Sequence, residues 1–214
     1  GIEIPNINHF ATQGASGGPV SILNSDLIRE ISFYTGAFPA NRGGALSSVM
    51  DISLRDGNAE KQAFKAVIGA SEAGVSASGH MGEKATYIAS VRQSYLQLLF
   101  KLLGLPLLPN YIDGQFKVKI KCNTTNELSF IGLAGFDDMK LNTEPDDKGD
   151  EYLLSYLPLL KQETFTVGTT YKHFSDKNIQ TVALSYSYLN NRSRKYLGND
   201  DSDPSALVLR SSAL

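Results

Sequence analysis

The chain has a single cysteine, Cys122, which excludes an internal disulfide framework and leaves the redox compartment open. Its histidines, His9, His80 and His173, are scattered, and there is no H-E-x-x-H pair, no C-x-x-C pair and no Walker loop. On those absences no enzyme, no cofactor and no metal site is expected. Basic charge is also scarce: Lys and Arg number 20 against 22 Asp and Glu, for a net charge of -2, and they form no stripe of the kind that phosphate backbones require. Nucleic acid is therefore not an expected partner. No apolar run reaches the ~20 residues of a membrane helix; the longest, residues 96–108, is interrupted by Lys101, Gly104 and Pro106.

What remains is enough to fold. With 214 residues, 42% hydrophobic and 20% charged, the chain suits one or two ordered domains. From residue 59 onward the pattern is one of strict alternation. Residues 63–71 and 74–81 read as short strands of small residues, and 85–93 sets Tyr87, Ala89 and Val91 against Thr86, Ser90 and Arg92. In 115–122, Phe116, Val118, Ile120 and Cys122 face one way, and Gln115, Lys117, Lys119 and Lys121 the other. Residues 127–136, 164–172 and 181–188 repeat the dyad, with Phe130, Phe165, Val167, Val182, Leu184 and Tyr186 on the apolar side.

The connections sort by length. Gly82-Glu83-Lys84, residues 123–126 and residues 175–178 are tight polar turns, whereas 94–114, 137–159 and the tail from Asn190 are long. A transmembrane β-barrel predicts this alternation, because one rim carries short turns and the other long loops. A soluble β-sandwich that binds glycans through loop aromatics remains the alternative, although its turns need not sort in this way. Tyr87, Tyr95, Phe116, Phe136, Tyr171 and Tyr188 fall near the expected strand ends, where aromatic girdles belong.

Residues 22–58 follow a different plan. Ile28, Ile31, Phe33 and Tyr34 form one strand pattern, and Met50, Ile52 and Leu54 alternate with Asp51, Ser53 and Arg55 in a second. Between them Gly36, Pro39, Asn41, Arg42, Gly43 and Gly44 crowd a loop with several positions free to take positive φ. An ordinary hairpin loop would also fit. Taken with Asp26, Ala45, Ser47, Ser48, Val49 and Gly57, however, this arrangement resembles the C-terminal part of the plug domain of TonB-dependent outer-membrane receptors. The run Phe38-Pro39-Ala40-Asn41-Arg42-Gly43 is similar to the version found in Bacteroides-type bacteria.

The resemblance implies a mainly β protein: residues 1–58 as the end of a plug, and 59–214 as about seven antiparallel meander strands opening an incomplete transmembrane barrel. It implies residence in the outer membrane of a Gram-negative cell. The receptor would contact outer-membrane lipid, be driven by the TonB complex, and take up an iron chelate, cobalamin or glycan by plug displacement, with a surface lipoprotein as a further partner. No TonB box can be matched to any residue present. A signal peptide is likewise missing and the chain begins at Gly1, so a segment of a longer receptor is expected. The plug loop would place Arg42 against a wall carboxylate, with Glu127 and Glu163 as candidates. Arg92, Lys117, Lys119 and Lys121 would face the lumen, since three lysines in register cannot face lipid.

Two stretches have competing readings. The leucine-rich residues 96–108 form either a loop helix packed on the rim or a partner-binding patch. Gly14-Ala15-Ser16-Gly17-Gly18-Pro19 is similar to a serine-protease nucleophile box, but only His9 and Glu3 precede Ser16 as potential triad members, so a flexible plug loop is expected. The acidic runs around Asp137, Asp146 and Asp200 are expected to be solvated loop charge.

Overall fold

A computed structural model describes residues 1–11, 17–38, 48–142, 148–199 and 203–213. Its elements in chain order are β1 (Asn8–His9), β2 (Val20–Ser21), β3 (Ile28–Thr35), β4 (Ser48–Leu54), β5 (Ala63–Ile68), β6 (Glu72–Met81), β7 (Ala85–Ser94), α1 (Leu96–Leu102), β8 (Leu107–Lys121), β9 (Asn126–Leu141), α2 (Lys148–Tyr156), β10 (Leu159–Phe174), β11 (Ile179–Tyr196) and β12 (Leu207–Ala213). The protein is mainly β. Among the described residues, strands β5 to β12 form one eight-stranded sheet in which every neighbour in space is a neighbour in sequence, and β5 and β12 are its unpaired edges. This is an open antiparallel meander. A β-sandwich would divide these strands between two facing sheets, so the alternative architecture is excluded.

Tight turns join the strands at one end. Gly82 takes φ +66° in the β6–β7 turn. Between β8 and β9 the Asn123 side chain accepts from the Thr125 amide at 3.0 Å and from Asn126 Nδ2 at 2.8 Å. Between β10 and β11 the Ser175 amide donates to the Asn178 carbonyl at 2.9 Å. At the opposite end α1 bridges β7 to β8, α2 bridges β9 to β10, and 3-10 turns bridge β11 to β12. From β6 onward the expected sorting of links by length is present; the short β5–β6 link, residues 69–71, lies at the long-link end.

Three expectations need correcting: the eighth strand, β12, lies in the tail expected as a long link, and the other two have one cause. The sheet carries eight strands rather than about seven, and the strands are longer than their apolar stripes: β8 begins at Leu107, β9 continues to Leu141, and β11 runs to Tyr196. Charged and polar residues extend the strands past the point where the dyad stops being apolar, because a backbone ladder accepts any side chain that its face can solvate or pair. Phe116 consequently lies well inside β8, opposite Gly132 of β9, rather than at a strand end. Its ring covers Gly132 so closely that a Cβ there would meet the ring at 2.3 Å. Cys122 lies just past the end of β8 and is exposed.

The N-terminal residues form two small sheets, β1 with β2 and β3 with β4. They pack on one face of the meander, which we call the inner face. Ile22, Leu23 and Leu133 of β9 make the buried core of that contact, with Ile4, Ile7, Ile28 and Ile52 around them. The register places Arg92, Asp113, Gln115, Lys117, Lys119, Leu133, Gly135, Gln162 and Thr164 on this same face. The outer face carries Ile112, Phe116, Phe130, Phe136, Val167, Val182, Leu184 and Tyr186, all exposed, with Leu184 reaching 72%. The single sheet is therefore two-faced: mostly polar inside, where the N-terminal segment covers it in part, and apolar and uncovered outside.

Candidate functional site: the buried polar seam between the N-terminal segment and the sheet

The contact between the N-terminal segment and the sheet is polar at its centre, and His9 occupies that centre. His9 is fully buried. Its Nε2 lies 3.0 Å from Asp113 Oδ2 on β8, and its Nδ1 contacts Asp137 Oδ1 on β9. The Asp137 carboxylate also accepts from the Phe10 amide at 2.7 Å. Tyr111, two residues before Asp113 on the same strand face, stacks on the imidazole with ring centroids 4.1 Å apart. Both ring nitrogens face carboxylates, so both must donate, which only the imidazolium can do. Burial alone pulls the His9 pKa down, but the hydrogen bonds to Asp113 and Asp137, and their charges, outweigh it and hold the value above 6.5.

Arg92 of β7 carries the network outward. Its Nε and Nη2 grip Asp113 at 3.0 and 2.9 Å, and its Nη1 lies 3.3 Å from Glu72 Oε1 on β6. The same Nη2 donates to the Ser21 and Ile22 carbonyls at 2.7 and 3.0 Å. Glu72 in turn accepts from the Tyr111 hydroxyl at 2.5 Å. A fixed guanidinium fork serves two carboxylates and the backbone of the N-terminal segment at once, which a lysine could not do. Gln162 of β10 adds a reciprocal pair: its Oε1 accepts from the Ala11 amide at 3.0 Å and its Nε2 donates to the Asn8 carbonyl at 2.8 Å.

A second, more accessible contact lies toward the tight-turn end. Asp56, just after β4, receives Lys117 Nζ at 2.6 Å and Lys119 Nζ at 2.9 Å, while Lys117 Nζ also donates to the Leu54 carbonyl at 3.0 Å. Burial pushes the Asp56 pKa up, but the two lysines overcome that and hold it below 3.8. Asp26 is tied to β5 by Lys65 at 2.6 Å.

Glycines set how closely the two parts approach. A Cβ on Gly135 would stand 2.9 Å from Ile22 Cδ1 and 3.3 Å from His9 Cε1, and one on Gly168 would meet Ile2 Cδ1 at 2.5 Å. Gly135→Val is expected to force the N-terminal segment off the wall at a cost of about 1–3 kcal/mol. Hydrogen exchange at the Ile22 amide should speed up accordingly. Gly114→Ala, whose Cβ would meet nothing closer than 3.7 Å on the outer face, should leave exchange unchanged. Equal exchange in the two variants would show that Gly135 does not set the approach.

The residues expected from sequence fall into three groups. Arg92, Lys117 and Lys119 all point to the inner face and all contact the N-terminal segment or Asp56; Lys121 shares their register but is exposed at the end of β8. Glu127 is also on this face, 3.0 Å from Lys119 Nζ, whereas Glu163 pairs with Arg192 at 3.0 Å on the outer face beside Phe165. Of the two carboxylates considered for Arg42, only Glu127 stands on the side that the N-terminal segment occupies. Arg42 itself lies outside the described residues, as do Pro39, Asn41, Gly43, Gly44 and Ser16. Gly36 is described, with φ +88°, a conformation that glycine adopts without strain. The central residues, His9, Asp113 and Asp137, do not stand out from sequence, because Asp113 and Asp137 fall in stretches whose pattern reads as loop; Asp137, expected as solvated loop charge, is instead a buried residue of β9. The signal that could have found them is the parity of β8 continued upstream from Lys117 through Gln115 and Asp113 to Tyr111.

An open meander with an apolar outer face, holding a small N-terminal body by a buried polar seam on its inner face, has the form of a partial barrel with material inside it. No protein-family model and no curated protein matches the sequence. Among solved structures, the chain is similar to the ferric enterobactin receptor (PfeA) determined in complex with BCV-L6, with a TM-score of 0.60 and 14% identity over 99% of this chain. It spans 35% of that receptor's length. The fold is accordingly that of part of a TonB-dependent receptor, with an incomplete barrel.

Proposed function

We propose that the chain is a segment of an outer-membrane receptor of the TonB-dependent kind, with residues 1–58 as the end of the plug and 59–214 as the first strands of the barrel wall. The observation that carries this reading is the two-faced sheet. Val182, Leu184 and Tyr186 are 61–72% exposed on one face of β11, while the other face of the meander meets the N-terminal segment through Arg92, Asp113, Asp137 and Gln162. A soluble sheet buries its apolar face. This one buries its polar face, which is the arrangement lipid imposes.

On this reading the intact receptor lies in the outer membrane of a Gram-negative, Bacteroides-type cell and takes up a scarce nutrient, an iron chelate, cobalamin or glycan, when the TonB complex draws the plug aside. A surface lipoprotein is a further proposed partner, and Arg42 is proposed to hold the plug loop against the wall. The full-length gene product should fractionate with outer membranes and need detergent for release. Deleting the gene should abolish growth on one limiting nutrient of these classes. Recovery in the soluble fraction would overturn the proposal.

A further inference from the structure

Among the described residues, two neighbouring polar atoms on the inner face are buried without a hydrogen-bond partner: Ser90 Oγ on β7 and Gln115 Nε2 on β8. The two residues are 3% and 4% exposed and stand directly opposite each other in the ladder. Gln115 Oε1 accepts from the Asn24 amide at 3.3 Å, so the free end of its side chain is the donating one. A buried donor left unpaired is costly, and folds answer such atoms with ordered water. Two of them on one rung call for one molecule that accepts from Gln115 and either accepts from or donates to Ser90. A charged occupant does not fit. The nearest cations along the two strands are already engaged, Arg92 by Asp113 and Glu72 and Lys117 by Asp56, and the Asp113 carboxylate is held by His9 and Arg92. A neutral molecule of water's size remains.

Space for water continues to one side of this pair. Ser76 of β6, opposite Ser90, and Asn24, bonded to Gln115, both line a recess of about 250 Å³ between residues 24–26 and strands β5 to β7, along with Lys65, Gly74 and Arg92. One water takes ~30 Å³, so several fit. Gly74 and Ser76 carry little side chain, which holds the wall back from the segment. Lys65 spans the gap to Asp26 at 2.6 Å, but both side chains are exposed to water, and such a pair holds weakly. On the β8–β10 side the segment is held instead by direct buried bonds, through His9 to Asp113 and Asp137 and through Asn8 and Ala11 to Gln162. Arg92, which grips the Ser21 and Ile22 carbonyls, stands at the boundary between the two sides.

We infer that Ser90 and Gln115 bind an ordered water at the inner end of this recess, and that the N-terminal segment parts from the sheet first on this hydrated side. The water supplies the acceptor that Gln115 lacks, and it is shared with solvent in the recess as the segment lifts. The β8–β10 side has no such substitute, because parting there strips direct bonds from buried charges.

The test uses the full-length protein, in detergent if the membrane reading holds and without it otherwise, so that the site and that reading fail separately. A crystal structure should show ordered density within hydrogen-bond reach of both Ser90 Oγ and Gln115 Nε2, and none in Ser90→Val. The wild-type density needs no variant, so a folding failure in one does not shelter the site. In hydrogen exchange, Ser90→Ala and Gln115→Met should each speed the Ile22 amide about fivefold, and the double change about fivefold rather than the ~25-fold of independent sites, because a water that has lost one partner has little left to lose. In wild type under mild denaturant the Asn24 amide should exchange ahead of the Phe10 and Ala11 amides. Density that shows the two side chains empty between them or bonded directly, or additive losses in the double variant, overturns the water. An Asn24 amide protected as long as Phe10 overturns the order of parting.

Discussion

Replacing His9 with alanine should loosen the N-terminal segment from the sheet more than any other single truncation on the inner face. The imidazole is fully buried between Asp113 and Asp137. Removing it leaves a buried carboxylate without its cation, a change that costs about 3–5 kcal/mol. The lower end is expected, because Asp113 keeps Arg92 and Asp137 keeps the Phe10 amide. In the intact receptor the protection of the Phe10 and Ile22 amides against hydrogen exchange should fall roughly a hundredfold, with the outer strands unaffected. A double change, His9→Ala with Asp137→Ala, should cost less than the two singles added, since no orphan charge remains. Additive losses, or unchanged protection in His9→Ala, would mean that the seam is held by Arg92 and Gln162 alone.

The same residue gives the seam a dependence on pH. The folded protein holds the His9 proton more tightly than the unfolded chain, whose value is near 6.5. That stabilisation is complete below about 6.5 and is lost as pH rises through the raised folded value. Above it, a neutral ring can donate to only one of its two carboxylates. Protection of the Phe10 amide, corrected for the intrinsic rate of exchange, should therefore decline toward alkaline pH in wild type and stay flat in His9→Ala.

Sequence and structure agree where one physical rule acts alone. The alternation of Phe116, Val118 and Ile120 with Lys117 and Lys119 allowed a single division into two faces, since a strand has period two, and both lysines meet Asp56 on the face that the N-terminal segment occupies. Turn chemistry at Gly82, Asn123 and Asn178 was equally legible. The strand ends were not. Beyond Gln115 toward the long-loop rim both faces of β8 carry polar or breaking residues, including Asp113, Asn110 and Pro109, so periodicity falls silent while the ladder continues to Leu107. The buried seam was hidden for the same reason, because Asp113 and Asp137 lie beyond the stretches where alternation is clean. His9 reads as an isolated histidine until two strands more than a hundred positions away are brought beside it. A carboxylate becomes a site only when the fold removes its water and supplies a cation, and neither event leaves a mark in local sequence.

The two faces of β11 should respond oppositely to the same added charge. Leu184 and Ser185 are adjacent, yet the register turns Leu184 outward with Val182 and Tyr186, and Ser185 inward opposite Gly168. Leu184 sits in the middle of the apolar band, with Val182 on one side and Tyr186 and Tyr188 on the other. If that band is the lipid contact, Leu184→Arg places a guanidinium near the bilayer midplane, at a cost of about 2–4 kcal/mol. Ser185→Arg adds the same group to a face that already carries Thr181 and Ser187, where water can solvate it, and should cost little. Folding of the full-length receptor into lipid bilayers, followed by the shift between folded and heat-unfolded forms on a gel, measures the difference directly. Leu184→Arg should lower the folded fraction and its denaturant midpoint, and Ser185→Arg should leave both near wild type. Equal losses would mean that β11 is enclosed by protein on both faces, and a larger loss for Ser185→Arg would reverse the inner and outer faces of the whole sheet, because every strand from β5 to β12 is locked to its neighbour in register.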